Sequence, residues 1–324
     1  MKIRVGIDVG ATKTKIIMIS REGKILARDK IMTDSDGVPE PIVERASQAV
    51  EKMLARHKVR PAAVEAVAVG ICGFLNPKTG IIDISPNLHW SRVPFKKLME
   101  ERLGQAVYMA NDVNAAAWGE FTYGAGKEVD DIVAIFIGSG IGGGIVTNGR
   151  LVEGGTGTAG EVGHMIFKPN GLKCDCGLRG CFEAYGGGMP MERRMRRLAG
   201  RGQSRLALKL AGGDLEKINT RVIRLAAEKG DRAALKVWSE AVESLSVLCA
   251  TLVSLLNPDR LVIGGGVLEG NPGLLKTIRD AVNERAVPLS ARHCRVVKSR
   301  LGGAAVAMGA AALVDLHGRE RSKG

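Results

Sequence analysis

The sequence IRVGIDVGATKTKIIMIS, residues 3–20, contains two short apolar runs separated by a turn that carries glycine, threonine and lysine. The runs IRVGI (3–7) and KIIMIS (15–20) have the length and the β-branched content of buried strands. A third run, KILARD (24–29), follows after another glycine-bearing turn. The beginning of the chain is therefore predicted to form an antiparallel meander.

Strands and helices alternate after this meander. The apolar pattern predicts a helix over 41–57, a buried strand over 64–71, a helix over 95–103, a strand over 105–110 and a helix that begins at Asn111. A meander followed by alternating strands and helices is typical of an α/β lobe built on a mixed sheet.

The same order of elements returns in the second half of the chain. Three strands are predicted over 131–138, 143–149 and 150–154, and later segments predict helices, a strand over 260–265, a helix over 272–285 and a strand over 294–299. Two lobes of similar build indicate a duplicated α/β architecture with mixed sheets. A cleft between two such lobes is the expected place for a ligand.

The end of the chain is predicted to belong to the first lobe. The Ala-rich run GGAAVAMGAAALVDL (302–316) favours a helix long enough to return to that lobe. We therefore expect a small N-terminal lobe of residues 1–117 with the C-terminal helix 303–324, and a large lobe of residues 118–302.

Composition limits the classes of function. A chain of 324 residues with 45% apolar residues favours a globular protein with more than one core. No apolar run reaches the roughly 18 residues of a membrane span, and the N-terminus does not resemble a signal peptide, so we expect a cytoplasmic protein without a membrane partner.

The net charge of +13 raises the possibility of nucleic-acid binding, as does the basic stretch MERRMRRLAGRGQSR (191–205). The alternative is a solvated helix face in a basic protein that binds an anionic small molecule. The second interpretation is favoured because aromatic residues make up only 4% of the chain and no DNA-binding motif precedes the first strand.

Three glycine-rich turns follow predicted strands: DVGATKTK (8–15), GSGIGGG (138–144) and IGGGV (263–267). Glycines allow the backbone N–H groups to approach phosphate oxygens, and nearby hydroxyls add donors. A single glycine turn usually needs no ligand, but three such turns in two similar lobes predict a nucleotide site. The predicted nucleotide contacts are Asp8, Gly10, Ala11, Thr12, Lys13, Thr14, Gly138, Ser139, Gly140, Gly264, Gly265 and Gly266.

Other nucleotide-binding patterns do not match. No GxxxxGK[ST] motif occurs, and the GxGxxG pattern after Ile137 opens a strand instead of a helix, which argues against a Rossmann site. Asp8 is a candidate for holding Mg²⁺ through water.

The segment ANDVNAAAWGE (110–120) places Asn111 and Asp112 where a strand gives way to a helix. Both residue types are common helix caps, which is one sufficient explanation. A carboxylate at a helix N-terminus also stays ionised, and Asp112 is therefore a candidate general base for phosphoryl transfer.

Three cysteines lie close together in CDCGLRGC, at Cys174, Cys176 and Cys181, and His164 precedes them. One imidazole and three thiolates are the ligand set of a closed, structural zinc site, whereas a disulfide is disfavoured in a reducing cytosol. The other cysteines, Cys72, Cys249 and Cys294, are expected to be buried thiols. Glu161 and Glu183 flank the cluster, and a loop fixed by metal would hold their carboxylates for sugar hydroxyls.

These motifs together resemble the ROK family of sugar kinases, its glucokinases in particular, over nearly the whole chain. The resemblance rests on DVGATKTK, GICGFLNPKTGIIDISPNLHW, NDVNAAAWGE, GSGIGGGIV, GTAGEVGH, CDCGLRGCFE and NPDRLVIGGGV. It implies a ribonuclease H-like, actin-like ATPase architecture, phosphorylation of a hexose, most readily glucose, at the 6-hydroxyl by ATP with Mg²⁺, and a homodimer or tetramer.

By the same resemblance, Asp112 is the general base and Asn111 a sugar ligand. The other implied sugar contacts are Gly73, Asn87, Glu161, His164 and Glu183, with His164 also binding zinc. Three departures, Ala11, Ser139 and the AYGGG sequence after Glu183, concern affinity and sugar choice more than reaction class.

Other readings stay open. Fructose, mannose, N-acetylglucosamine and N-acetylmannosamine are alternative substrates, and ADP or polyphosphate alternative donors. A non-catalytic sugar-responsive regulator is a further alternative. A DNA-binding repressor is not expected, because the first glycine loop begins at Asp8.

Overall fold

The computed structural model describes residues 2–34, 37–76 and 79–321, with side chains as far as residue 316. Pro77 and Lys78 of the GICGF…LHW motif and the last residues of the expected C-terminal helix, 322–324, lie outside the described residues. The strands are β1 (Ile3–Val9), β2 (Lys13–Ser20), β3 (Ile25–Met32), β4 (Val64–Ile71), β5 (Phe74–Leu75), β6 (Ile82–Ser85), β7 (Trp90–Val93), β8 (Val107–Asn111), β9 (Ile132–Ile137), β10 (Ile141–Thr147), β11 (Arg150–Leu151), β12 (Arg260–Gly264) and β13 (Arg295–Lys298).

The helices follow the predicted order in the first half and fill most of the second. They are α1 (Glu40–Arg56), α2 (Phe95–Leu103), α3 (Asp112–Tyr123), α4 (Phe182–Gly186), α5 (Gly188–Gly200), α6 (Arg205–Leu210), α7 (Thr220–Glu228), α8 (Arg232–Leu256), α9 (Gly266–Gly270), α10 (Leu274–Arg285), α11 (Pro288–His293) and α12 (Ala305–Arg321).

Two five-stranded sheets share one topology. The first has the order β3-β2-β1-β4-β8 and the second β11-β10-β9-β12-β13, so that in each sheet the first strand lies between the second and the fourth. Antiparallel pairing of β1 with β2 and parallel pairing of β1 with β4 make the first sheet mixed. The second sheet combines the antiparallel pair β10–β11 with the parallel pairs β9–β12 and β12–β13. The predicted duplicated α/β architecture is confirmed.

The chain forms two compact units. Unit 1 comprises Met1–Asp131, Gly144–Gly160 and Ser299–Gly324, and unit 2 comprises Ile132–Gly143 and Glu161–Lys298. The lobe boundary expected at residue 117 falls within α3, all of which belongs to unit 1. A helix is one hydrogen-bonded rod, so a division between compact units falls in its flanking loop instead.

In unit 1, both faces of β1 are covered. Val5 and Ile7 pack into a core shared with Ile42 of α1. The opposite face meets α12, where a Cβ atom on Gly6 would lie 1.7 Å from the carbonyl oxygen of Ala307. The Ala-rich C-terminal run therefore forms a helix that lies against the first sheet, in direct backbone contact.

A small antiparallel sheet, β5-β6-β7, also belongs to unit 1 and was not predicted from the sequence. Its strands are only two to four residues long. Runs of that length show no usable apolar alternation.

In unit 2, α8 lies in the core and contacts α4, α5, α7 and α10. It is the one helix among the described residues that is long and apolar enough to span a membrane, although polar residues interrupt its sequence before any apolar run reaches 18 residues. Leu245, Leu248 and Val253 of α8 are fully or almost fully buried within the unit. Its apolar character is therefore explained by core packing.

Candidate active site

Asn111 and Asp112 lie where β8 ends and α3 begins, as predicted. Asn111 is the N-cap of α3, and its Oδ1 accepts the N–H groups of Val113 and Asn114 at 2.9 and 3.2 Å. The Val113 N–H also donates to Asp112 Oδ1 at 3.0 Å. A helix N-terminus favours the ionised carboxylate, so Asp112 is in a position suited to accepting a proton.

Two other predicted sugar contacts lie near this pair in unit 1. Asn111 Nδ2 donates to the carbonyl oxygen of Gly73 at 3.2 Å. Burial raises the pKa of the Cys72 thiol and the charge of Asp112 raises it further, while hydrogen bonds with Ser85 and Asn87 oppose the shift. Gly73, Asn87, Asn111 and Asp112 therefore form one group around Cys72.

Cys72 itself was not predicted as a member of this group. Its side chain is half-buried, and Ser85 Oγ donates to its carbonyl oxygen at 2.7 Å. The only signal for it in the sequence is its position next to Gly73. In the structure, Gly73 has a φ of 127°, and a Cβ there would clash with the carbonyl oxygen of Ile84.

The first glycine turn joins β1 to β2. Asp8 is buried at the end of β1, and Lys15 Nζ donates to its Oδ2 at 2.9 Å. Burial raises the pKa of Asp8, and the ammonium group of Lys15 opposes that shift. The carboxylate predicted to hold Mg²⁺ is thus already paired with a cation in this structure.

The hydroxyls of this turn differ in exposure. Thr14 is fully buried, and its Oγ1 lies 3.0 Å from that of Thr33, whose hydroxyl donates to the carbonyl oxygen of Gly10. Its hydroxyl is therefore held in the interior of unit 1. The exposed residues of the turn are Ala11, Thr12 and Lys13.

The second glycine turn, at 138–140, follows β9 in unit 2. The Gly138 N–H donates to the Gly140 carbonyl at 3.0 Å, which closes a tight turn, and Ser139 is exposed at its tip. A Cβ on Gly138 would meet open space. The turn therefore has one exposed hydroxyl and open space beside Gly138, and phosphate contact at this turn stays a prediction.

The third glycine run has a different structural explanation. Gly265 has a φ of 97°, and a Cβ there would lie 2.4 Å from the carbonyl oxygen of Ile137. Gly265 is thus required by close packing against β9. Gly266 begins α9 and faces open space, and Gly264 is buried as the last residue of β12.

The predicted metal ligands lie together in unit 2. One ligand atom from each of His164, Cys174, Cys176 and Cys181 can be chosen so that all four lie within 4.8 Å of one another. His164 Nδ1 is 3.7 Å from Cys174 Sγ, and the Sγ atoms of Cys176 and Cys181 are also 3.7 Å apart. Tetrahedral zinc with Zn–S bonds of about 2.3 Å gives S–S separations of roughly 3.8 Å, so this donor set fits zinc.

Hydrogen bonds between its own backbone groups stabilise the loop that holds the cysteines. The Cys174 N–H donates to Leu178, and the Gly177 N–H donates back to Cys174, with Gly177 at a φ of 92°. Burial raises the pKa of the Cys174 thiol to about 12 and that of Cys181 in the same direction. A divalent cation would stabilise the thiolates that burial disfavours.

The two flanking acids differ in their contacts. Glu161 Oε2 lies 3.9 Å from His164 Nε2, the ring nitrogen that does not face Cys174. Burial raises the pKa of Glu161; His164 opposes this shift and the charge of Glu183 adds to it. Glu183 Oε1 lies 3.9 Å from Cys174 Sγ, and its Oε2 accepts the Ile141 N–H at 2.8 Å. Glu161, His164 and Glu183 therefore form a second group of predicted sugar contacts, in unit 2.

The family model of the ROK family matches residues 4–316. The chain belongs to the ROK family. It is 34% identical over 316 residues to the glucokinase of Streptomyces coelicolor, covering 97% of this chain and 98% of that protein. The matched range, residues 4–316, includes every motif described above.

The ROK relatives include enzymes and regulators. A solved ROK family glucokinase from Streptomyces griseus, in complex with glucose and AMPPNP, is 34% identical with a TM-score of 0.79, and the match covers 96% of this chain and 98% of that one. The xylose repressor of Caldicellulosiruptor bescii is 26% identical over 96% of this chain and 77% of the repressor. The two units thus have the actin-like ATPase fold of ROK kinases.

Proposed function

We propose that this protein transfers the γ-phosphoryl group of ATP to the 6-hydroxyl of glucose. The observation that carries the proposal is the Asn111–Asp112 pair at the N-terminus of α3, beside Gly73 and Asn87. The similarity to ROK glucokinases, one of them solved with glucose and AMPPNP, supports the choice of sugar and donor.

In the proposed reaction, Asp112 accepts the proton of the sugar 6-hydroxyl as that oxygen attacks the γ-phosphorus. The bond from phosphorus to the bridging oxygen breaks, and ADP leaves with the electron pair. Phosphoryl transfer depends mainly on positioning and charge stabilisation. Asn111 holds the helix end through its side-chain oxygen and the Gly73 backbone through its amide, so it fixes the direction of Asp112.

The remaining sugar contacts are proposed to be Glu161, His164 and Glu183. Carboxylates accept hydrogen bonds from hydroxyls, whereas an imidazole that holds a metal through Nδ1 donates one from its Nε2–H, and such a set of fixed acceptors and donors orients a sugar ring. The orientation of the His164 ring supports this proposal, because Nδ1 faces the thiols and Nε2 faces Glu161. Zinc at the four-residue cluster would hold the loop rigid and take no part in bond breaking.

ATP is proposed to bind at the turns 8–14 and 138–140, with its base near residues 264–266. Mg²⁺ would neutralise phosphate charge. Asp8 is its proposed protein contact, through water and the oxygen that does not accept from Lys15. A cytoplasmic location and a homodimer or tetramer are further parts of the proposal, carried by family membership alone.

The test is an assay of purified protein with ATP, Mg²⁺ and glucose, mannose, fructose, N-acetylglucosamine or N-acetylmannosamine. We expect the highest kcat/KM with glucose. No turnover with any of these sugars would refute the kinase proposal. Sugar binding without turnover would favour the regulator that the repressor relatives suggest.

Asp112→Asn tests the assigned base. Removal of a general base lowers kcat by at least about 100-fold while sugar binding persists, because the amide keeps the shape of the side chain. Asp83→Asn is the matched control, since Asp83 is exposed on β6 in the same unit. Normal turnover by the Asp112→Asn protein would contradict the assignment.

A further inference from the structure

The carboxylate of Glu183 lies directly against the second glycine turn. Its Oε2 accepts the N–H of Ile141 at 2.8 Å. A Cβ atom on Gly140 would lie 2.1 Å from the same oxygen and 2.9 Å from the carboxyl carbon. The glycine at position 140 therefore leaves the space that this carboxylate occupies.

The chain that follows Glu183 holds the other side of the same turn. The N–H groups of Gly188 and Met189 donate to the carbonyl oxygens of Gly138 and Ser139, both at 2.9 Å. A Cβ on Gly188 would lie 2.6 Å from the Gly138 oxygen. Because a trans peptide places its N–H opposite its C=O, fixing these carbonyls also fixes the direction of the N–H groups of Ser139 and Gly140.

Glu183 also lies beside the cysteine cluster. It follows Cys181 by two residues, and its Oε1 is 3.9 Å from Cys174 Sγ. The segment 183–189 thus follows the cysteine cluster in the chain, and it contacts the glycine turn through one side chain and two backbone N–H donors. This contact network lies entirely within unit 2.

We propose that Gly140 is a positioning residue for the sugar, acting through Glu183, and that segment 183–189 couples the sugar-holding loop to the phosphate turn. The inference rests on the proposed function, because Glu183 is a sugar contact only there. The glycine pattern of the turn by itself indicates phosphate contact alone. The open space at Gly138 and the occupied space at Gly140 distinguish two separate requirements for glycine within one turn.

The first test is Gly140→Ala, with sugar affinity measured by calorimetry without nucleotide and KM measured for both substrates. The added methyl displaces the carboxylate, so we expect sugar affinity to fall about tenfold, the effect of losing one charge-assisted hydrogen bond. Gly138→Ala is the matched control within the same turn. It should raise the KM for ATP and leave sugar affinity unchanged.

The second test is a double-mutant cycle with Glu183→Ala. Without the carboxylate there is no group for the methyl to displace, so Gly140→Ala should cause no further loss of sugar affinity in that background. If Gly140→Ala lowered sugar affinity by the same factor in the wild-type and Glu183→Ala backgrounds, the two effects would be additive and the positioning role would be overturned. Unchanged sugar affinity in Gly140→Ala would also overturn it.

Thermal unfolding of the same four proteins tests the contact without any sugar. We expect Gly140→Ala to lower Tm in the wild-type background and to have a smaller effect in the Glu183→Ala background, with zinc content equal throughout. Equal Tm changes in both backgrounds would overturn the contact. Absence of hexose binding by the wild-type protein would instead refute the proposed function, and the unfolding data would still decide whether the contact exists.

Discussion

At the scale of single residues, the cysteine cluster gives the most direct prediction. Cys176 is the exposed member of the four, so its replacement disturbs packing less than that of Cys174 or Cys181, both buried. Cys176→Ser removes one thiolate from a closed tetrahedral set and should reduce bound zinc from about one ion per chain to nearly none. Metal analysis of the dialysed protein measures this directly.

The control for that experiment is Cys72→Ser, a half-buried cysteine of unit 1 outside the cluster. It should retain zinc at the wild-type level. Equal zinc in the Cys176→Ser and wild-type proteins would show that the cluster does not hold the metal.

Residue-scale features were predictable where they depend on local spacing. The N-cap at Asn111 and the grouping of His164 with the three cysteines each follow from residues within about twenty positions of one another. The burial of Thr14 was not predictable, because it depends on Thr33 of the segment after β3. Pairing of non-adjacent segments is a tertiary property that a local pattern does not encode.

At the scale of elements, α12 and α3 pack with their backbones in contact. A Cβ on Gly309 would lie 1.7 Å from the Ala115 carbonyl oxygen, and one on Gly119 would lie 2.7 Å from that of Ala305. Small residues at such crossings allow a short distance between helices. The Ala-rich composition of the C-terminal run is therefore a packing requirement as well as a helix signal.

Gly309→Ala should destabilise the protein, although alanine favours helices. The steric cost of overpacking, up to about 3 kcal/mol, exceeds the gain of roughly 1 kcal/mol in helix propensity. We expect a net loss of about 2 kcal/mol in the free energy of unfolding, measured by urea denaturation. Gly303→Ala is the control, since a Cβ there meets open space. Equal stability of the two variants would contradict the packing argument.

The sequence predicted long elements well and very short ones poorly. The bounds of β4 and α2 agree with the expected ranges 64–71 and 95–103. The strands β5, β6 and β7 were not predicted, although β5 directly follows Gly73 and Asn87 lies between β6 and β7. Their formation depends on pairing with one another, because runs of two to four residues have too few side chains to specify a face.

At the scale of the whole molecule, the duplicated order of strands was predictable because each half repeats a meander before its parallel strands. The limits of the two units were not, since they depend on where α3 and the segment after β13 pack. Glu120 illustrates this: it is fully buried in α3 and accepts hydrogen bonds from Ala125, Ser299, Arg300 and Leu301. The segment after β13 is thus held to α3 by one carboxylate.

Net charge is also a property of the whole molecule, and it should affect the binding of the two proposed substrates differently. A protein of charge +13 attracts the ATP anion over distances comparable to the Debye length, whereas glucose is neutral. Raising the salt concentration from about 20 to about 200 mM should therefore lower kcat/KM for ATP several-fold. The kcat/KM for glucose, measured at saturating ATP in the same buffers, is the internal control and should change little. A parallel fall for both substrates would point to an effect of salt on the protein itself and would contradict electrostatic attraction of the nucleotide.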